Sequence, residues 1–201
     1  MPGRVCAAVL AAAVLFRFAP VPAPESFSDV PADAWYYADI QACREAGVIR
    51  GGGDGFFRPE DAVTAGEFLT MLFNLGHTLG AYDAMRVTGE EWLDAAKLLN
   101  GRLCAYFTDF TVPLNRGELA FLAAGFLRDV KLCSEAADAA GPVHIFPDVY
   151  GLSCAGDTEF LASLGLVSGI ASDDGKLFFC PDITASRAEA AVLAHRMLDL
   201  F

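Results

Sequence analysis

The chain has 201 residues, 54% of them hydrophobic, and a formal net charge of −12 at pH 7. This length is sufficient to bury one sizeable core or a series of smaller ones. The negative charge argues against nucleic acid and anionic lipid surfaces as partners, because both carry charge of the same sign.

Residues 1–24 have the pattern of a secretory signal peptide. Arg4 is followed by an unbroken apolar run from Val5 to Phe16, which is shorter than an ordinary membrane span. The cleavage site stays open, because a proline follows both Ala19 and Ala23. We predict export of the chain, with an uncleaved N-terminal membrane anchor as the alternative.

The first helix after the predicted signal peptide is predicted to span residues 34–46. Trp35, Ile40 and Cys43 fall on about one helical face, and Gly47 suits the position just after a helix end. A glycine-rich turn is predicted at residues 51–55, because glycine tolerates positive φ angles. Residues 56–59 are then predicted to form a short extended arm.

Three apolar stretches are predicted to be helices that begin in the same way. Each is preceded by Thr, Asn or Ser, with a Glu three positions later, which is the spacing of a capping box. In a capping box, the cap side chain accepts a hydrogen bond from the backbone N–H of the glutamate, whose carboxylate reaches back to the N–H of the cap. The stretches are apolar on nearly every side, so these helices should be largely buried. The three pairs are Thr64 with Glu67, Asn115 with Glu118, and Ser186 with Glu189.

The regions before the first and third capping boxes share three motifs in the same order. These are Phe-x-Asp-Val, a Gly-x-x-x-Gly turn, and an Asp-Gly loop leading to Phe-Phe-x-Pro; the middle region clearly preserves only its capping box. We therefore predict three tandem helix–loop–helix units in an all-α fold, with the second helices packed centrally and the first helices outside. The predicted units are residues 25–80, 81–138 (degenerate) and 139–201.

These motifs resemble those of the S-layer homology (SLH) family over roughly residues 27–201, strongly in the first and third units and weakly in the second. The resemblance implies a three-pronged bundle with pseudo-threefold symmetry. It also implies non-covalent attachment to anionic secondary cell-wall polysaccharide, often pyruvylated, in grooves between units. In the family, the arginine of the cap motif, an early Trp and loop glycines contact the ligand. The residues at these positions are Arg116, Arg187, Trp35, Gly51 and Gly52.

The position of the two arginines suits such a ligand chemically. A guanidinium group matches a sugar carboxylate with two parallel hydrogen bonds, and a helix start offers free N–H groups and a positive dipole end. The first unit has Ala65 at this position, which puts its groove in question. The alternative for Arg116 and Arg187 is that each is an ordinary exposed residue of a first helical turn.

Trp35 and the loop glycines also have two interpretations. The large apolar area of an indole favours a core position for Trp35, and stacking on a sugar face is the alternative. Gly51 and Gly52 either let a ligand approach the backbone or serve only as turn residues.

The sequence favours a non-enzymatic module without metal or cofactor, because His-Glu-x-x-His and Walker motifs are absent. The net charge of −12 opposes an anionic ligand, so a local arginine pocket would have to override it. The alternative function is a surface protein–protein scaffold, or a diverged module that no longer binds polymer.

Five cysteines lie outside the predicted signal peptide, so at least one of them is free or pairs between chains. Two pairings would each join sites within one unit, Cys104 with Cys133 and Cys154 with Cys180. Buried free thiols are the alternative.

Overall fold

The computed structural model describes residues 26–82, 92–103, 105, 107–130 and 146–201. This part of the chain is mostly helical, with one 3-10 turn at Pro147–Val149 and one small sheet. The predicted signal peptide, Cys104 and Cys133 lie outside the described residues. The helices are α1 (Tyr37–Glu45), α2 (Ala65–Thr78), α3 (Trp92–Arg102), α4 (Arg116–Asp129), α5 (Ala155–Ser163) and α6 (Arg187–Leu198); the strands are β1 (Ile170–Ala171) and β2 (Leu177–Phe178).

The structure is mostly helical, as predicted, and departs from a purely α-helical fold at a small sheet in the loop of the third predicted unit. Strands β1 and β2 pair antiparallel there, with Ile170 opposite Phe178 and Ala171 opposite Leu177. The intervening Asp-Asp-Gly turn reverses the chain, and Asp174 holds it by accepting hydrogen bonds from the hydroxyl of Ser172 and the side chain of Lys176. The sheet is too short to change the helical character of the fold.

A capping box is present at the start of α2, α4 and α6. At α2, the N–H of Glu67 donates to Thr64 Oγ1 (3.3 Å), and the N–H of Thr64 donates to Glu67 Oε2 (2.9 Å). Asn115 with Glu118 and Ser186 with Glu189 form the same two hydrogen bonds. These reciprocal bonds satisfy backbone donors that the first helical turn would otherwise leave without partners.

Replacing Ser186 by alanine is expected to lower the free energy of unfolding by about 1 kcal/mol. The substitution removes the oxygen that accepts the N–H of Glu189 at 3.1 Å. Chemical denaturation followed by circular dichroism would measure the change, with Ser168→Ala at an exposed serine as the control. Equal midpoints for both variants would contradict a contribution of this cap to stability.

The residues that precede the three capping boxes form a closed ring of backbone hydrogen bonds. The N–H of Val63 donates to the carbonyl of Ala185 (3.0 Å), that of Ala185 to Leu114 (2.9 Å), and that of Leu114 to Val63 (2.9 Å). All three side chains are fully buried. This backbone ring joins parts of the chain that are distant in sequence and lies at the starts of α2, α4 and α6.

Each of α1, α3 and α5 packs on a helix from another predicted unit. Helix α3 packs on α2, α5 packs on α4, and α1 packs on α6, while α2 also contacts α4 and α6. The core is therefore continuous from the first predicted unit to the last, and it includes most of the apolar side chains of α2, α4 and α6. The helix–loop–helix order agrees with the sequence prediction, whereas the partners of α1, α3 and α5 were not predicted.

Candidate functional site

Arg187 joins the start of α6 to the first arm, residues 56–59. Its Nε donates to the carbonyl of Phe57 at 2.8 Å, and its guanidinium lies over the Phe57 ring, 4.9 Å from the centroid. One Nη also forms an ion pair with the capping glutamate Glu67 of α2. Only 12% of the Arg187 side chain is exposed. We call this contact the Arg187–Glu67 clasp.

Arg116 makes the same set of contacts between α4 and the third arm, residues 178–181. Its Nε donates to the carbonyl of Phe179 at 2.8 Å, and its guanidinium lies 4.9 Å from the centroid of that ring. One Nη pairs with the capping glutamate Glu189, and the other donates to the carbonyl of Ser168 at 3.3 Å. This is the Arg116–Glu189 clasp. Two of the three capping glutamates, Glu67 and Glu189, therefore also bind arginines of other predicted units, a role that the sequence analysis did not assign.

The expectation of free N–H groups at these helix starts is wrong. The first two N–H groups of α4 donate to the carbonyls of Ile183 and Pro181, each at 2.9 Å. The first two N–H groups of α6 donate to the backbone carbonyls of Asp61 and Pro59, also at 2.9 Å. The third N–H of each helix donates to the side chain of its own N-cap residue. An anion cannot use these donors unless the contacts between the units open.

The two arms are held by the aspartates of the Phe-x-Asp-Val motifs. Each carboxylate accepts two consecutive backbone N–H groups of its arm, at 2.6 to 2.9 Å. The second residue of each pair has a positive φ, 59° for Arg58 and 57° for Cys180, which is unfavourable for a residue with a side chain. These charge-assisted hydrogen bonds stabilise the conformation and place the aromatic ring beneath the arginine. The bonded sets are Asp29 with Phe57 and Arg58, and Asp148 with Phe179 and Cys180.

Packing explains the glycine at position 51 but not the one at position 52. Gly51 has φ +69°, and a Cβ on it would lie 2.6 Å from the Phe27 ring and 2.8 Å from the carbonyl oxygen of Phe56. A Cβ on Gly52 would lie 2.9 Å from the guanidinium of Arg58. The Arg58 side chain is 47% exposed and can move aside, so this contact does not by itself require glycine at position 52. The geometry accounts for Gly51 as a residue of a tight loop without invoking a ligand.

A pocket of about 180 Å³ lies between residues of all three predicted units. Its wall combines an indole, two guanidinium groups and a carboxylate with the turn before β1. The interpretation of Trp35 as a core residue is wrong, since its side chain is 65% exposed and lies edge-on to Tyr36. Residue type alone could not reveal this, because exposure depends on how the rest of the chain packs around the indole. The residues that define the pocket are Trp35, Arg116, Gly169, Ile170, Glu189 and Arg196.

The structure thus brings together two of the five predicted ligand-binding residues, Trp35 and Arg116. Arg187 lies at its own clasp, while Gly51 and Gly52 lie in the loop that packs on Phe27 and Arg58. Sequence reasoning missed Arg196, in the last turn of α6, because it belongs to no recognisable motif.

The described cysteines have properties of packed thiols. Cys43, Cys154 and Cys180 are free, so Cys154 and Cys180 do not form the disulfide considered from the sequence. Burial raises the pKa of the Cys43 thiol to about 12 and also raises that of Cys154. Protonated thiols are poor nucleophiles, which argues against covalent catalysis by these two residues.

Two further properties concern the described residues alone. Their His, Cys, Asp and Glu side chains form no group of three or more that could hold a metal ion. Within the same ranges, no helix combines the length and apolarity required to cross a membrane.

Residues 26–69 match the family model of the S-layer homology domain, which confirms the predicted family over this range, while three tandem units stay a prediction. The matched range contains the first Phe-x-Asp-Val motif, α1, the glycine-rich loop, the first arm and the start of α2. No curated protein matches the chain. The chain therefore carries an S-layer homology domain, a class of non-catalytic module that generally mediates attachment of surface proteins to the cell wall.

Proposed function

We propose that the chain is a non-enzymatic, cell-wall-associated module built from three SLH units with pseudo-threefold symmetry. Its proposed ligand is an anionic secondary cell-wall polysaccharide, bound in a groove between units. The matching capping boxes, the backbone ring and the two clasps support a threefold arrangement. The proposal includes export directed by the N-terminal signal, and an uncleaved membrane anchor is the alternative.

The observation that carries this proposal is the pocket beside Trp35. An exposed indole offers a flat apolar face for a sugar ring, while guanidinium groups nearby suit a carboxylate. A volume of about 180 Å³ is smaller than the roughly 300–1,000 Å³ of pockets that enclose drug-sized ligands. We therefore expect the pocket to receive no more than about one sugar unit, with the remaining polymer outside it.

The net charge of −12 does not exclude an anionic ligand at this position. Exposed charges more than about 8–10 Å apart are largely screened at physiological salt. The guanidinium groups in the pocket wall would therefore dominate the interaction at short range, and the distant carboxylates mainly slow the approach of the polymer.

Replacing Trp35 by alanine is expected to weaken co-sedimentation of the chain with purified wall sacculi about tenfold, which corresponds to about 1.4 kcal/mol. Because 65% of this side chain is exposed, the helicity measured by circular dichroism should stay at the parent level. Tyr150→Ala is a matched control, since Tyr150 is 74% exposed and is not part of the pocket wall. Equal sedimentation of Trp35→Ala and the parent would reject the proposed binding face.

The two clasps favour a second candidate function, that of a protein scaffold or a module that has lost polymer binding. The guanidinium groups of Arg116 and Arg187 already bind internal glutamates, and Ala65 replaces a third arginine. In that case, association with cells would survive acid extraction of the wall polymer and would depend on a protein partner. Cross-linking on intact cells before and after extraction would separate this function from glycan binding.

A further inference from the structure

We propose that Arg196 makes the direct contact with the anionic group of the ligand, and that Arg116 in the same pocket wall serves to hold the fold. This inference rests on the proposed function, because it assigns a residue to the same pocket. It differs from the expectation that the arginine of the cap motif is the principal anion contact.

The hydrogen-bonding donors of Arg116 are largely committed. All three of its side-chain nitrogens have partners, namely the carbonyl of Phe179, the carboxylate of Glu189 and the carbonyl of Ser168. Only 14% of this side chain is exposed. At most two of its five N–H groups therefore remain for a ligand, and they lie on a largely buried side chain. Displacing any of the other three would carry a cost that offsets the gain.

Arg196, in contrast, has few of its hydrogen-bonding donors committed to internal partners. Its residue is exposed, and the one hydrogen bond that the described structure gives it runs from an Nη to the carbonyl of Leu166 at 3.0 Å. That bond tethers the guanidinium to the turn before β1, at the pocket wall. Since a guanidinium has five N–H donors, most of those on Arg196 are available to a ligand.

The charges of the pocket wall also favour Arg196 as the contact for an anionic group. Its charged side chains are those of Arg116, Glu189 and Arg196, and the first two neutralise each other in their clasp. Arg196 therefore supplies the net positive charge of the pocket. The carboxylate of Asp199, three positions further along the chain, lies 3.6 Å from His195 Nε2. It adds negative charge at the C-cap of α6, outside the pocket wall.

The test is co-sedimentation of the full chain with purified wall sacculi at low and at physiological ionic strength. Arg196→Gln should weaken binding about tenfold and flatten its dependence on salt, because it removes the charged contact and retains a side-chain amide. Arg196→Lys should retain part of the affinity through its charge. Arg128→Gln is the matched control, since it makes the same change in net charge at a half-exposed arginine paired with Asp157, away from the pocket.

The outcomes separate this inference from the function on which it rests. Normal binding by the parent and by Arg128→Gln, with weakened binding by Arg196→Gln, would support the assignment. Binding by Arg196→Gln equal to the parent, with the same salt dependence, would overturn the role of Arg196 and leave the proposed function intact. Failure of the parent to sediment with sacculi would overturn both.

Discussion

Replacing Arg187 by alanine is expected to lower the free energy of unfolding by about 2–3 kcal/mol. The substitution removes the ion pair with Glu67, the hydrogen bond to the carbonyl of Phe57 and the stacking on the Phe57 ring in one step. The cost stays below that of a fully buried pair because 38% of the Glu67 side chain is exposed to water. For a chain of this size, the melting temperature should fall by about 5–10 °C.

Thermal melting followed by circular dichroism would measure this effect, with Arg128→Ala as the control. Arg128 also pairs with a carboxylate and lies over an aromatic ring, but 51% of its side chain is exposed. Its loss should therefore cost about 0–1 kcal/mol. A loss of stability in Arg187→Ala no larger than in the control would show that the Arg187–Glu67 clasp contributes little. The result also matters for wall-binding assays, since an Arg187 variant would lose stability along with any loss of affinity.

Gly51→Ala is expected to destabilise the protein by about 3 kcal/mol, for two separable reasons. The φ of +69° is unfavourable for alanine and costs about 1 kcal/mol. The added Cβ would also lie 2.6 Å from the ring of Phe27, which is buried against Phe57, and 2.8 Å from a backbone carbonyl oxygen. Overpacking of this kind adds about 1–3 kcal/mol.

Gly53→Ala separates the two contributions. Gly53 lies in the same loop with φ +81°, and a Cβ on it would meet nothing within 4 Å. It should therefore cost only the strain of the backbone, about 1 kcal/mol. The difference between the two variants in urea denaturation measures the steric contact. Equal costs would mean that Gly51 is required only for its backbone conformation.

The helix starts could be predicted from the sequence because their determinants are local. A capping box requires a polar cap and a glutamate three positions later, so one short window contains all the information. The clasps are not local, because Arg116 and Glu189 lie 73 positions apart, and Arg187 and Glu67 lie 120 apart. The sequence around each arginine does not identify its glutamate partner. The sequence therefore predicts ligand contacts for Arg116 and Arg187, and their internal ion pairs appear only in the folded structure.

The exposure of the residues in the candidate pocket also depends on contacts that are distant in sequence. Trp35 has the residue type of a core position, but its exposure depends on what lies opposite it in the folded chain. Arg196 is one of two basic residues in the last turn of α6, a common arrangement near a helix end. Only the placement of the turn before β1 beside α4 and α6 identifies it as part of a pocket.

The packing of α1 against α6 affects when the chain can finish folding. Asp39 on α1 contacts His195 on α6, 156 positions further along the chain. At synthesis rates of roughly 5–20 residues per second, α1 waits about 8–30 s before its partner exists. During that interval α1 lacks its native contacts with α6, although contacts within the first predicted unit, such as that of Asp29 with Phe57, can already form. The surface of α1 that packs on α6 therefore stays uncovered until α6 has been made.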